Sequence, residues 1–222
     1  MALAHTYRWV ISAVGILALS VSVGLALVAR DFAYVVLGPT WMPAVPVIQI
    51  LAIAAGMAAM TLPLTSVLGA TGDPRVVVGL AMVRTVLLLA TMVPAAIWYG
   101  LPEVALGRAV STAIALVVSL LVFERVVKLA PLTLIRGMVR PLVAALAMSG
   151  VVLLVQEVVP AIAFVRLVAC AAAGAVTFVA ALLGLWVIAG RPPSVEHDAV
   201  VLLGGYLRAL RSRWVAPDSP SG

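Results

Sequence analysis

Charge is scarce in this 222-residue chain: only 10% of its residues are Asp, Glu, Lys or Arg, where an ordinary soluble domain carries about 25%. Hydrophobic residues make up 65%, and the mean hydropathy is +1.25. A chain so apolar cannot hide its surface from water, which excludes a soluble globular domain and leaves lipid as its solvent. Chemistry-bearing residues are as few. The single cysteine, Cys170, cannot form an intrachain disulfide and reads as a small apolar filler. There are two histidines, His5 and His197. Glu196-His197-Asp198 imitates a metal or acid/base cluster, but it occupies the expected first turn of a solvated tail helix, where acids favour the positive helix end. With no phosphate-cradling glycine loop, zinc spacing or nucleophile motif, neither an enzyme nor a metal or cofactor site is expected.

What the chain does have is six long apolar runs, at 10–29, 42–70, 76–98, 104–123, 142–159 and 167–188. A helix rises about 1.5 Å per residue, so roughly 20 apolar residues cross a hydrocarbon core about 30 Å thick. The runs lack the polar stripe that a soluble helix shows on every turn. The expected fold class is therefore an all-α, polytopic membrane helix bundle of about six spans. The first run is longer than the 7–15-residue core of a typical signal peptide, and Leu27–Ala29 makes a poor cleavage site, so it is expected to stay as a span.

Position explains the net charge of +6. With a cytoplasmic N-terminus and six crossings, the cytoplasmic segments hold Arg8, Arg75, Arg125, Lys128, Arg136, Arg140, Arg191, Arg208, Arg211 and Arg213. The opposite side holds Arg30, Arg108 and Arg166, each with Asp31, Glu103 or Glu157 nearby in sequence. This is the positive-inside pattern, with both termini cytoplasmic, and it argues against nucleic acid as a partner. Tyr7 and Trp9, Tyr34 and Trp41, Trp98 and Tyr99, and Trp186 fall at span ends, where rings sit at headgroup level.

Local signals refine the spans. Pro63 should kink span two, with Thr61, Thr65 and Ser66 placed to satisfy the freed carbonyl. The small-residue stretch at 52–59 should pack closely against another helix. Asp73 and Pro74 read as N-cap and first residue of span three. Residues 124–140 mix apolar and cationic side chains and fit an interfacial segment on the inner leaflet. The tail, 191–222, should hold an amphipathic helix at about 195–214 before a disordered end.

The candidate substrate-path residues are Arg84, Gln49, Thr65 and Arg108. Arg84 lies eight residues into its apolar run, roughly 12 Å deep at helical rise. Two readings fit: a cation facing an internal cavity and pairing with an anionic group, or an arginine snorkelling to the cytoplasmic interface. Gln49, with Ser111, Thr112 and Ser119, fits interhelical hydrogen bonding or ligand contact, and Arg108 fits an anion-attracting mouth or an interfacial anchor.

The stretch Val36-Leu-Gly-Pro-Thr-Trp41-Met-Pro-Ala-Val-Pro-Val-Ile-Gln49-Ile-Leu-Ala52, followed by Gly69-Ala-Thr-Gly-Asp-Pro-Arg75, resembles the C-terminal part of bacterial polysaccharide flippases. These are the lipopolysaccharide and O-antigen exporters of the multidrug/oligosaccharidyl-lipid/polysaccharide superfamily. Leu129-Ala-Pro-Leu-Thr-Leu-Ile-Arg136-Gly-Met-Val-Arg140-Pro141 looks like their later cytoplasmic connection, and the likeness covers roughly residues 7–188. The resemblance implies a multi-pass protein of the bacterial cytoplasmic (inner) membrane. It implies flipping of undecaprenyl-diphosphate-linked saccharide, with Arg84 at a position where the family often has a polar or basic residue. Spans one to four would be the last helices of the family's second bundle, and spans five and six its extra pair. An N-terminal transporter half is then the expected partner, since alternating access needs two bodies around a shared site. The alternatives are a non-transporting scaffold of a polysaccharide-assembly complex, or an inactive truncated fragment.

Overall fold

A computed structural model describes residues 2–70, 74–127, 131–159 and 162–188. The tail helix expected at about 195–214, the end beyond it and Asp73 lie outside these residues. The chain divides into two units, Met1–Leu182 and Leu183–Gly222; in the second, the described residues are the last turns of one helix.

The described residues form six long helices: α1 (Ala2–Phe32), α2 (Val45–Ala70), α3 (Pro74–Trp98), α4 (Leu101–Val127), α5 (Pro131–Val158) and α6 (Ala163–Ile188). Many positions are valine, a weak helix former in water. In hydrocarbon the backbone must satisfy its own hydrogen bonds, so the helix wins regardless. Six stretches are long and apolar enough to cross a membrane: Val14–Leu37 (which runs past the end of α1), Pro39–Ser66 (which begins before α2), Arg75–Trp98, Leu101–Val126, Val139–Val158 and Ala163–Leu185. The protein is thus an all-α, six-span membrane protein within its described residues.

Helix ends follow local chemistry. Pro74 and Pro131 open α3 and α5, where a missing N–H is harmless. Glu103 lies in the first turn of α4 and Arg125 in its last, each suited to the helix dipole there. α4 runs to Val127, and from Pro131 the chain is helical without a break into the span Val139–Val158, straight through Pro141. α2 likewise continues through Pro63. Its hydroxyls are spent elsewhere than expected. Thr61 donates to the Ala58 carbonyl, Thr65 to those of Thr61 and Leu62, and Ser66 to that of Leu62. The carbonyl that Pro63 frees, one turn back at Ala59, is not among these acceptors.

Between α1 and α2 the chain passes through a π-helical turn, Ala33–Leu37, and a 3₁₀ stretch, Pro39–Ala44. Gly38 joins them at φ 93°, ψ 167°, a conformation nearly closed to residues with a Cβ. Its N–H donates to the Ala33 carbonyl at 2.9 Å, which closes the π turn.

Packing relies on small residues, because lipid offers no hydrophobic drive for helices to associate. A Cβ built on Gly56 would lie 2.3 Å from the Ser22 Oγ, so α1 and α2 cross almost backbone to backbone within the small-residue stretch. Gly107 of α4 meets the Thr91 carbonyl of α3, and Gly174 of α6 meets Val152 of α5. Two apolar cores result. One joins α5 and α6 through Ala144, Ala145, Met148, Val152, Cys170 and Phe178, with Ile16, Val23, Leu27 and Val28 of α1 against it. The other joins Leu64 and Leu68 of α2 to Phe123 of α4, with Val76 and Val77 of α3 packed on them.

Candidate functional site

The helices leave a cavity of about 230 Å³ among α2, α3 and α4. Liquid water takes about 30 Å³ per molecule, so the space far exceeds what one ion needs. Its polar lining is Thr61 and Thr65 from α2, Arg84 from α3 and Ser119 from α4; apolar side chains, among them Val77, Leu80, Val83 and Val118, complete it.

Depth follows from register. Arg84 stands ten residues into α3, about 15 Å along the axis. Ser119 lies eight residues before the end of α4 and Thr65 five before the end of α2, about 12 and 8 Å. The end of α2, the start of α3 and the end of α4 share one membrane side. The cavity therefore occupies the half of the bilayer nearer the turn that joins α2 to α3.

The wedge shape has a simple origin. α2 and α3 both pack along α4 but meet each other only over a short stretch. That meeting is at the turn end, where Val76 and Val77 close on Leu64, Leu68 and Phe123. α4 is the floor, α2 and α3 are the walls, and Val76, Val77, Leu64, Leu68 and Phe123 pack together toward the α2–α3 turn.

The donors and acceptors in the wedge are sorted. The hydroxyl protons of Thr61 and Ser119 go to the carbonyls of Ala58 and Ala115, both at 2.7 Å. That of Thr65 is shared between the carbonyls of Leu62, at 2.9 Å, and Thr61, at 3.2 Å. What remains on each oxygen is lone pairs, so the hydroxyls present acceptors. The guanidinium of half-buried Arg84 offers only donors and a fixed positive charge. None of the described residues pairs with it. A ligand that matches this lining combines an anion for Arg84 with O–H or N–H donors for the hydroxyls.

The four candidates from sequence separate in space. Arg84 and Thr65 share the cavity, while Gln49 and Arg108 are not in its lining. Gln49 donates from Nε2 to the Ala26 carbonyl of α1 at 3.2 Å. Arg108 lies near the start of α4, and its carbonyl accepts the hydroxyls of Ser111, at 2.9 Å, and Thr112, at 2.8 Å. Thr61, considered only as a kink residue, and Ser119, read as fitting either interhelical hydrogen bonding or ligand contact, join the site. The spacing of Thr61 and Thr65, four apart on one helix face, was the available signal for the first.

A second polar cluster ties the far end of α1. Besides Gln49, Gln156 of α5 donates to the Leu27 carbonyl at 2.9 Å. Asp31, buried, is gripped by both arms of Arg166 from α6: Nε donates to Oδ2 at 2.9 Å, and Nη2 to Oδ1. By sequence Arg166 stood beside Glu157; in the fold its partner lies 135 residues away.

No protein-family model and no solved structure matches the chain. It is 32% identical over 91 residues to a Klebsiella pneumoniae protein named "Uncharacterized membrane protein in cps region". That stretch is 41% of this chain and 19% of the Klebsiella protein. Both proteins are membrane proteins, this one by its six candidate spans. The chain corresponds to a minor part of that relative's length.

Proposed function

We propose that this protein works in the transport of lipid-linked polysaccharide across the bacterial inner membrane, as the part of a flippase that carries six of its helices. The observation that supports this best is the wedge cavity. An arginine that no described residue neutralises faces three hydroxyl oxygens at membrane depth, where an unpaired cation costs about 2.5–3.5 kcal/mol on insertion scales. An undecaprenyl-diphosphate-linked saccharide supplies what is missing there: a diphosphate for Arg84 and sugar hydroxyls for Thr61, Thr65 and Ser119. The relative's place in a cps region, a capsule-polysaccharide gene region, points to the same biology. The charge pattern of the sequence supports a cytoplasmic position for both termini and the α2–α3 turn, and so for the end of the cavity nearer that turn, the side where such lipids are made. Arginine stabilises the diphosphate during crossing, and a second transporter half provides the body against which these helices rock.

The test is translocation. The full chain is co-expressed with the N-terminal transporter half of its genome neighbourhood and reconstituted in vesicles holding a fluorescent lipid-linked oligosaccharide. Flipping is read as loss of protection from an impermeant quencher. Arg84→Gln should slow it at least tenfold, in proportion to one charge-assisted contact in a dry site. Wild-type rates in that variant would refute the assignment.

A further inference from the structure

The three turns on one membrane side differ from the two connections on the other. Gly38 alone separates the first two spans, Tyr99 and Gly100 the next two, and residues 159–162 the last two. None of these residues is charged, whereas the opposite connections hold Asp73, Lys128 and Arg136. Large apolar side chains crowd the short turns: Val36, Trp41, Trp98, Tyr99, Val158 and Ile162 are 56–78% exposed. Turns in water favour polar residues, so these belong at a leaflet.

The three turns do not stand level. Gln156, two residues before the end of its span, donates to the carbonyl of Leu27, ten before Leu37 at the end of the first span. Arg166, three residues into the last span, holds Asp31, six before Leu37. Met148, ten before Val158, lies against Gly24, thirteen before Leu37. At about 1.5 Å per residue, each contact sets the end of α5 or the start of α6 lower than Leu37, by about 5–12 Å. The α3–α4 turn stands almost as high as Leu37. Phe123, which packs on Leu64, is 22 residues from Leu101, and Leu64 is 25 from Pro39.

We infer that the leaflet on this side is stepped: thicker around α1–α4, whose apolar tips its phospholipids cover, and thinner beside the end of α5 and the start of α6. Markers of the headgroup layer occur at both levels. Tyr34, Trp41, Trp98 and Tyr99 stand on the high turns, and such rings favour that layer. Glu157, exposed and one residue from the end of α5, marks it at the low turn, because a charge on so short a stem stays close to its backbone. Arg30 is exposed about 10 Å below Leu37, but its long stem lets the guanidinium snorkel upward. A flat boundary would leave either the high tips in water or the low turn in hydrocarbon, since a headgroup layer about 5–8 Å deep bridges only part of the difference. Span lengths agree. The first four have 24–28 residues, about 36–42 Å, and the last two 20 and 23, about 30 and 35 Å. Bending a leaflet costs little per ångström, whereas an apolar tip left in water forfeits its whole transfer free energy. The step stands apart from the transport reading and needs no ligand in the cavity.

The experiment puts one nitroxide at a time on Val36→Cys, Ile97→Cys or Ile162→Cys, in a Cys170→Ala background, with the full chain in dioleoylphosphatidylcholine vesicles. These sites are 58–78% exposed, so the labels displace little packing. Depth is read as the ratio of access by a water-soluble nickel chelate to access by dissolved oxygen. All three labels should report the same headgroup depth, to within about twofold in that ratio. In the shorter dimyristoleoyl lipid the ratio should rise about threefold at Val36→Cys and Ile97→Cys, and in the longer dierucoyl lipid it should fall as much at Ile162→Cys. Four results in dioleoyl lipid would overturn the step. Chelate-dominated access at Val36→Cys beside an interfacial Ile162→Cys means that the tip stands in water. Access by oxygen alone at Ile162→Cys means a flat boundary drawn at the high turns. α3 packs mainly on α4, and α4 on α2, so a whole-body tilt that levelled the other two turns would sink Ile97→Cys into hydrocarbon. Shielding of Val36→Cys from both reagents means that a protein, a second copy included, covers the tip in place of lipid.

Discussion

The pair of Asp31 and Arg166 should respond very unequally to loss of either partner. The Asp31 side chain is 5% exposed, that of Arg166 29%. Arg166→Gln strands a carboxylate in a site with almost no water, and removing one member of a buried pair costs about 3–5 kcal/mol. Asp31→Asn strands the other charge, but a third of that side chain already reaches solvent or headgroups. Its long stem lets the guanidinium turn outward, and the asparagine oxygen still accepts one hydrogen bond, so the loss should be about 1–2 kcal/mol. Replacing both with leucine removes the desolvation penalty together with the attraction, and should fall within about 1 kcal/mol of wild type. The assay is equilibrium unfolding in mixed micelles with rising SDS, followed by the fluorescence of the five tryptophans. Equal losses in the two single variants would refute the reasoning, because it rests on the difference in burial. So would a double variant weaker than either single one.

Three other substitutions probe the fold. Gly56→Ala places a Cβ 2.3 Å from the Ser22 Oγ and 2.6 Å from its Cβ; it should cost about 2 kcal/mol by the same unfolding assay, and Ser22→Gly added to it should recover most of the loss. Gly38→Ala meets no neighbour within 4 Å, yet it must hold φ 93°; a loss of about 1–3 kcal/mol is expected from backbone strain alone, and a neutral result would place the residue in a different conformation. Gln156→Leu removes the bond to the Leu27 carbonyl and should cost about 0.6 kcal/mol, the average for an interhelical hydrogen bond in a membrane protein.

The spans were legible in the sequence because hydrocarbon leaves the chain so few choices: long apolar runs must be helices there, and their count needs only hydropathy. Their ends were less legible. The first crossing extends to Leu37 because the apolar signal continues through Arg30-Asp31 into the π turn, and the pairing that lets Asp31 lie there comes from α6. Arg84 stood out as a cation in an apolar run, and Thr65 as a nearby hydroxyl. That they share one cavity, and that Ser119 joins them, depends on how α2 and α3 splay over α4. No local pattern encodes that angle; it follows from where Gly107 lets α4 approach the Thr91 carbonyl and where Val76 and Val77 meet Leu68. Gln49 shows the opposite failure. An amide in an apolar run signals a polar need, but the sequence does not say whether a ligand or the Ala26 carbonyl meets it.

The two polar clusters have different work, and this separates stability from binding. The clasp on Ala26, Leu27 and Asp31 holds α2, α5 and α6 to the far end of α1. The cavity lies about 12–15 Å from the opposite membrane face, in α2, α3 and α4. Across a core about 30 Å thick, that leaves more than the 7–10 Å beyond which substitutions act independently. Each side chain of the clasp has a partner, as a structural contact requires, whereas no described residue pairs with Arg84. Arg84→Gln should therefore raise or leave unchanged the resistance to SDS while slowing translocation at least tenfold, and Asp31→Asn should lower the resistance while leaving translocation near the wild-type rate. In the double variant the two unfolding effects should add to within about 0.5 kcal/mol. If Arg84→Gln instead weakened the fold as much as Asp31→Asn, Arg84 would be holding helices together, and the cavity would lose the free charge on which its function is argued.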